Sequence, residues 1–356
     1  MEKKKHKLLK GLIITLLVTL FAVFAVILPV ISCIMYGMVF GIRYETQSYL
    51  TFSTGNFPGL MRDRYEFASN EGQILTGYRY YREGQDVKGL IIMAHGIGAG
   101  HNSYMDCADY FTQNGYDVFA FDVTGNDESE GSNVRGLPQG VIDLDHAISF
   151  VEGLDEFSGL PIVLFGHSWG GYSCTSVLNQ HPEVAAVCSV SGFNRSSDLL
   201  LFQGEQMIGP VINIMMPYLN IYERIKFGEY AVQTSMDGFA NSDARIMIVH
   251  SEDDDTVGIQ YGYDVYYGTY ADDPDFVFIR YTDKGHSSIL SNGGSREYMR
   301  GINEQLMQQL DGRTPTEEER EAYYSQAVDM DIMATFADTD LLGQVVAFYD
   351  EALGVN

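Results

Sequence analysis

A serine hydroxyl becomes a useful nucleophile only when a base stands ready to take its proton, and one serine of this 356-residue chain is set out for that task. Gly166-His167-Ser168-Trp169-Gly170 directly follows the apolar run Pro161-Ile162-Val163-Leu164-Phe165 and opens a stretch of helical pattern. Glycines on both flanks allow a strained strand-to-helix turn in which a Cβ would clash, and such a turn lifts the Ser168 hydroxyl clear of a sheet edge. The partners this chemistry requires are a histidine to shuttle the proton and a carboxylate to orient it. His286 stands in Lys284-Gly285-His286-Ser287, just after the apolar run FVFIRY, and Glu252, Asp253, Asp254 and Asp255 follow the run RIMIVH. Both loops fall where strands end, on the edge that carries the Ser168 turn. Among the four acids the spacing leaves the choice open, because a run of charges is ordinarily a solvated face. A calcium loop is disfavoured, since the oxygen ligands and the glutamate are not at EF-hand spacing.

These residues need a scaffold, and the rest of the chain supplies one. Short runs rich in Val, Ile and Phe at 73–81, 88–94, 116–122, 161–165, 184–190, 245–250 and 276–281 read as strands. Helical patterns at 102–114, at 138–152 and from 169 separate them. This α/β alternation predicts a mostly parallel central sheet flanked by helices on both faces. Residues 193–240 break the rhythm, being too long for a plain connection, and read as a helical cap insertion. Within it MIGPVINIMMPYL is too apolar for an ordinary surface segment, so Met207, Ile208, Val211, Ile212 and Met215 are candidates to line a hydrophobic substrate site. The alternative is that they simply pack the cap on the core. The tail 311–356 reads as a helical extension ending in the amphipathic DLLGQVVAFYDEAL.

The N-terminus is of another character. Residues 1–10 hold five lysines, and 11–41 form an apolar run with no charge before Arg43, long enough to span a bilayer as a helix. A single-pass membrane anchor is expected, rather than a cleaved signal peptide with its shorter apolar region. Val30-Ile31-Ser32-Cys33 also fits the pattern before a lipidated cysteine, although the chain stays apolar beyond it. The lysines hold the N-terminus in the cytoplasm and send everything after residue 42 outward. Residues 42–70 read as a connector without clear periodicity and 71–356 as the domain. With 48 acidic against 22 basic residues the chain would repel phosphate backbones, which excludes nucleic acid as a partner. The four cysteines show neither CxxC nor metal-ligand spacing, so no metal site is expected.

Four blocks in order, His95-Gly96-Ile97-Gly98, Asp122-Val123-Thr124-Gly125 with Ser129, the Ser168 turn, and the acid and histidine loops, make residues 70–310 resemble an α/β-hydrolase. The likeness is to the monoacylglycerol-lipase-like branch often labelled serine aminopeptidase. In such relatives the acid loop reads His-Gly-x-x-Asp, here His250-Ser251-Glu252-Asp253-Asp254, and that register selects Asp254. The resemblance also implies an oxyanion hole made by the backbone N–H groups of Ile97 and Trp169. It implies that His95 packs beneath the Ile97 loop and that His101 sits in a loop or on a pocket rim. Thr124-Gly125-Asn126-Asp127-Glu128-Ser129 departs from the usual Arg-Gly-x-Gly-x-Ser, which bears on the local loop. The Trp169 side chain either walls the acyl pocket or packs in the core.

A membrane-anchored serine esterase or lipase is therefore expected, with Ser168, His286 and Asp254 as catalytic triad, an acylglycerol or lysolipid-like ester as substrate and no cofactor. A peptidase using the same triad is the enzyme alternative, and a catalytically silent binding module the alternative from another class.

Overall fold

The computed structural model describes residues 2–355; Met1 and Asn356, the outer limits of the expected segments, lie outside the described residues. Strands β1 (Met61–Ala68), β2 (Ile74–Tyr81), β3 (Gly89–Ala94), β4 (Tyr116–Phe121), β5 (Ile162–His167), β6 (Ala186–Val190), β7 (Arg245–Ser251) and β8 (Phe276–Tyr281) form an eight-stranded sheet among the described residues. Its order is β1-β2-β4-β3-β5-β6-β7-β8. β1 and β2 pair antiparallel, β2 pairs antiparallel with β4, and every later pairing is parallel.

Side chains alternate across a strand, and here both faces are apolar. Leu90 and Ile92 of β3, Phe119 and Phe121 of β4 and Leu164 of β5 face one core. Ile91, Met93, Val118, Ala120, Val163 and Phe165 face the other. Helices cover both faces. In chain order after the N-terminal helix, α1 (Glu2–Ala22) and α2 (Leu28–Phe40), they begin with α3 (Met105–Gln113), α4 (Leu137–Glu152) and α5 (Trp169–Ser176). The cap holds α6 (Ser196–Ile208), α7 (Ile212–Phe227) and α8 (Ser235–Asn241), followed by α9 (Tyr263–Tyr270). The C-terminal part adds α10 (Gly293–Gln309), α11 (Glu317–Ala327), α12 (Met330–Met333) and α13 (Thr339–Leu353). α13 does pack on the sheet, burying Leu341, Leu342, Val345, Phe348 and Tyr349 beside β6 and β7.

A π-helical segment, Val23–Ile27, joins α1 to α2 without a break, so Lys3–Phe40 is one helix of 38 residues, long and apolar enough to cross a membrane. Two expectations need correcting. The connector is shorter than 42–70, because Met61–Ala68 forms the edge strand β1; alternating charges disguise it, and only Tyr65 and Phe67 turn toward the core. Nor is all of 11–41 free apolar helix: Ser32, Tyr36 and Phe40, at helical spacing of four, are buried against the domain.

Candidate active site

Ser168 lies between β5 and α5 with φ 58° and ψ −118°, a backbone conformation most side chains avoid. The glycines on either side are required by close approach. A Cβ on Gly166 would stand 2.3 Å from the Gly170 carbonyl oxygen, and one on Gly170 would stand 1.9 Å from that of Ala94. β5 is central, hydrogen-bonded to β3 on one side and β6 on the other, so the turn is held from both sides of its strand.

The loops after β7 and β8 bring two side chains to this turn. The Ser168 hydroxyl donates to His286 Nε2 at 2.9 Å, and His286 Nδ1–H donates to Asp254 Oδ2 at 2.7 Å. Asp254 is also held by the N–H groups of Thr256 and Val257, at 3.0 and 2.8 Å, and by His250 Nε2 at 3.3 Å. Burial by itself would raise its pKa; the hydrogen bonds from His250 and His286 overcome that and hold the carboxyl well below the usual range. The neighbouring acids are occupied elsewhere. Glu252 pairs with Arg280, Asp255 is exposed, and Asp253 accepts from Ser251 Oγ and from the Gly285 N–H. Ser251, where relatives carry glycine, also accepts from the Lys284 N–H at 3.0 Å, so its hydroxyl ties the acid loop to the histidine loop.

Two residues without a signal in the sequence complete the arrangement. The Tyr104 hydroxyl accepts from the Gly96 N–H at 3.2 Å and donates to His167 Nδ1 at 2.9 Å, while His167 Nε2–H donates to the His286 carbonyl at 3.1 Å. Burial, reinforced by the adjacent His286, pushes the His167 pKa down to about 3, so the ring is neutral and can both accept and donate. The loop before α3 and the His286 loop are thereby braced against each other across Ser168.

The Ile97 N–H meets no acceptor among the described residues, and Ile97 borders the cavity above Ser168. Trp169 is the first residue of α5, where an N–H has no partner within the helix. The Trp169 side chain packs in the core and is not part of the cavity wall: it is buried, and its Nε1–H donates to the Leu137 carbonyl at 2.7 Å. His95 does sit under the Ile97 loop, its Nε2 accepting from the Val123 N–H at 3.0 Å. His101 is buried rather than on a rim, its Nδ1 2.9 Å from Asp122. The atypical segment after Asp122 keeps a tight turn, because Ser129 Oγ donates to the Asp122 carbonyl at 2.5 Å and receives the Thr76 N–H at 2.9 Å.

Ser168, His167 and His286 border a cavity of about 890 Å³ whose wall is mostly apolar. Of the five cap residues proposed for it, Met207 and Ile212 line it. Met215 is buried in the core instead, and Ile208 and Val211 point to the exterior. Leu219, the last residue of the apolar stretch 207–219, lines it too, together with Leu199 and Leu200, which lie before that stretch.

The sequence profile of the family described as serine aminopeptidase, S33, matches residues 85–230. The monoglyceride lipase of Saccharomyces cerevisiae is 28% identical over 141 residues, covering 38% of this chain and 43% of that protein. The quorum-quenching protein AidA of Acinetobacter baumannii is 24% identical over 176 residues, covering 49% of this chain and 56% of its own. The chain thus matches about half the length of these relatives. Among solved structures an esterase of Pyrococcus furiosus superposes with a TM-score of 0.52 at 15% identity, over 72% of this chain and 94% of that one, a likeness of fold. With this sheet order and this likeness of structure the chain has the α/β-hydrolase fold, and over residues 85–230 it is similar to the serine aminopeptidase family and to monoglyceride lipases.

Proposed function

We propose that the protein is a serine ester hydrolase acting on acyl esters of the acylglycerol or lysolipid kind. The observation that carries this is the continuous hydrogen-bonded path from Ser168 Oγ through His286 to Asp254, at 2.9 and 2.7 Å, on the floor of a largely apolar cavity. His286 takes the Ser168 proton as Oγ attacks the ester carbonyl, and Asp254 stabilises the imidazolium. Negative charge gathers on the carbonyl oxygen, where the N–H groups of Ile97 and Trp169 serve as donors, each typically worth about 3 kcal/mol. The C–O bond to the alcohol breaks, His286 passes its proton to that oxygen, and water then releases the acid from Ser168 by the same steps in reverse roles. The apolar wall and the monoglyceride lipases among the relatives support a fatty acyl group. Residues 11–31 cross the bilayer in this reading, and the domain lies on the face opposite the lysines.

One observation favours the peptidase reading: Asp106 borders the same cavity, and burial raises its carboxyl only to about 6, leaving it mostly ionised at neutral pH and able to pair with an α-amino group. A single comparison separates the readings. Fluorophosphonate labelling together with turnover of p-nitrophenyl esters and aminoacyl p-nitroanilides is expected to give labelling and ester cleavage, both lost in Ser168→Ala by a factor of about 10⁴ or more. Labelling that survives the alanine substitution would remove Ser168 from the role, and preferential anilide cleavage would favour the peptidase.

A further inference from the structure

The wall of the cavity is not confined to the cap. Met35, Tyr36, Val39 and Phe40, from the last turns of the N-terminal helix, line the same space that reaches Ser168 and His286. Their presence there follows from how α2 is held. Ser32, Tyr36 and Phe40 are 0%, 2% and 5% exposed, and α2 packs along α7 of the cap. The Tyr36 hydroxyl donates to Glu223 of α7 at 2.7 Å, and the same carboxylate receives the Ser196 hydroxyl at 2.8 Å. The Tyr36 ring lies against Phe40 and Tyr222, with centroids 4.7 and 5.1 Å away. Beyond the helix the chain stays bound. The Phe40 and Ile42 carbonyls accept from the N–H groups of Arg135 and Val134, and the Arg43 guanidinium donates to the carbonyls of Asp127, Ser129 and Gly131.

Helix length decides where this contact lies. Residues 11–31, at 1.5 Å per residue, give about 31 Å, which is already the thickness of a hydrocarbon core. The turns from 32 to 40 are therefore surplus to the span, and their buried face is on the domain.

We infer that the end of the anchor is part of the substrate site: Met35 and Val39 form the wall along which the acyl chain lies, and the Tyr36–Glu223 bond fixes that wall to the cap. This rests on the ester reading and deepens it, since it assigns acyl-length selectivity to a segment far outside the family's matched region. Val39 suits the role because it is partly open yet borders the cavity, whereas Met38, its neighbour, is 73% exposed and does not.

The test uses the full-length chain in nanodiscs, with acetyl and dodecanoyl p-nitrophenyl esters. Val39→Trp and Met35→Trp should lower kcat/KM for the dodecanoyl ester by about tenfold, the loss of some two buried methylenes, while leaving the acetyl ester within about twofold. Met38→Trp should leave both esters unchanged. Val39→Ala, which adds space and endangers no fold, should raise the dodecanoyl-to-acetyl ratio. A ratio unmoved by the two tryptophans and by the alanine, or moved equally by Met38→Trp, would overturn the assignment while leaving the ester reading standing. Failure of the unmodified chain to cleave either ester would remove both.

Discussion

Ser168 is held in its strained conformation by neighbours that leave it no alternative, and the cost is repaid in pre-organisation: its hydroxyl already points at His286. The same economy governs the acid. Four carboxylates follow β7, yet only Asp254 is turned inward, fixed by two backbone N–H groups and two histidines. Asp254→Asn should therefore cost far more esterase activity than the same change at its neighbours. Asp253→Asn weakens the hold on the Gly285 N–H and should cause a partial loss, and Asp255→Asn should be silent. Comparing kcat for the three purified variants checks the order; equal losses would mean that His286 takes its orientation from elsewhere. The sequence was informative about the residues that meet at the cavity floor, because a nucleophile, its base and its acid each follow a strand in a recognisable order. It was silent about Tyr104 and His167. His167 occupies the freely variable position of G-x-S-x-G, and Tyr104 lies some sixty residues upstream, so the hydrogen bond between them leaves no spacing to read.

At the level of elements, the contact between α2 and α7 contains a titratable group. Burial raises the Glu223 carboxyl from the ordinary glutamate value of 4.5 to about 7, against the opposing pull of hydrogen bonds from Tyr36 and Ser196 and of the Lys226 charge. A carboxyl whose folded pKa is raised binds its proton more tightly in the folded state. Its contribution to stability is thus full below pH 4.5 and is lost as pH rises through about 7. The melting temperature of the full chain should accordingly fall between about pH 5 and pH 7 and level off above, and Glu223→Gln, which keeps an acceptor for Tyr36 and Ser196, should flatten that part of the profile. An unchanged slope in the glutamine variant would assign the dependence to another group. The helices and inner strands were legible because their apolar periods are clean: β3 to β8 fall within a residue or two of the runs that predicted them. β1 was not, since an edge strand with one solvated face carries Arg62, Asp63, Arg64 and Glu66 and reads as a connector. The buried face of the N-terminal helix was equally hidden, because in a uniformly apolar helix the face that meets protein has the same pattern as the exposed one.

On the scale of the molecule, the cavity draws its lining from parts of the chain far apart in sequence. Gly96, Ile97 and Ser168 fall within the matched residues 85–230, whereas Met35, Val39, Leu50, Met299, Met333 and Phe336 of the wall fall outside them. Asp254 and His286 also fall outside, while Leu199, Leu200, Met207, Ile212 and Leu219 of the cap fall inside, so the match covers the Ser168 turn and the cap side of the cavity and leaves the rest of its lining unmatched, which is why the fold was easier to recognise than the substrate. The same assembly makes a mechanical prediction. A hydrolase on a flexible stalk would be cut first at the stalk, and the basic residue just beyond the anchor is Arg43. Here Arg43 is tied to three carbonyls of the domain, while Arg313 stands in the exposed turn between α10 and α11, held by bonds within that turn and a surface pair with Glu319. Proteases need a segment that can leave its fold, so the more local opening is attacked first. Trypsin added to intact cells should nick the chain after Arg313 while the junction at Arg43 survives, leaving a large fragment that still pellets with membranes. Release of the whole domain by cleavage at Arg43 would mean that the anchor is a loose tether and that Tyr36 and Phe40 are not docked. Full protection until the cells are opened would place the domain on the same side as the lysines and reverse the orientation.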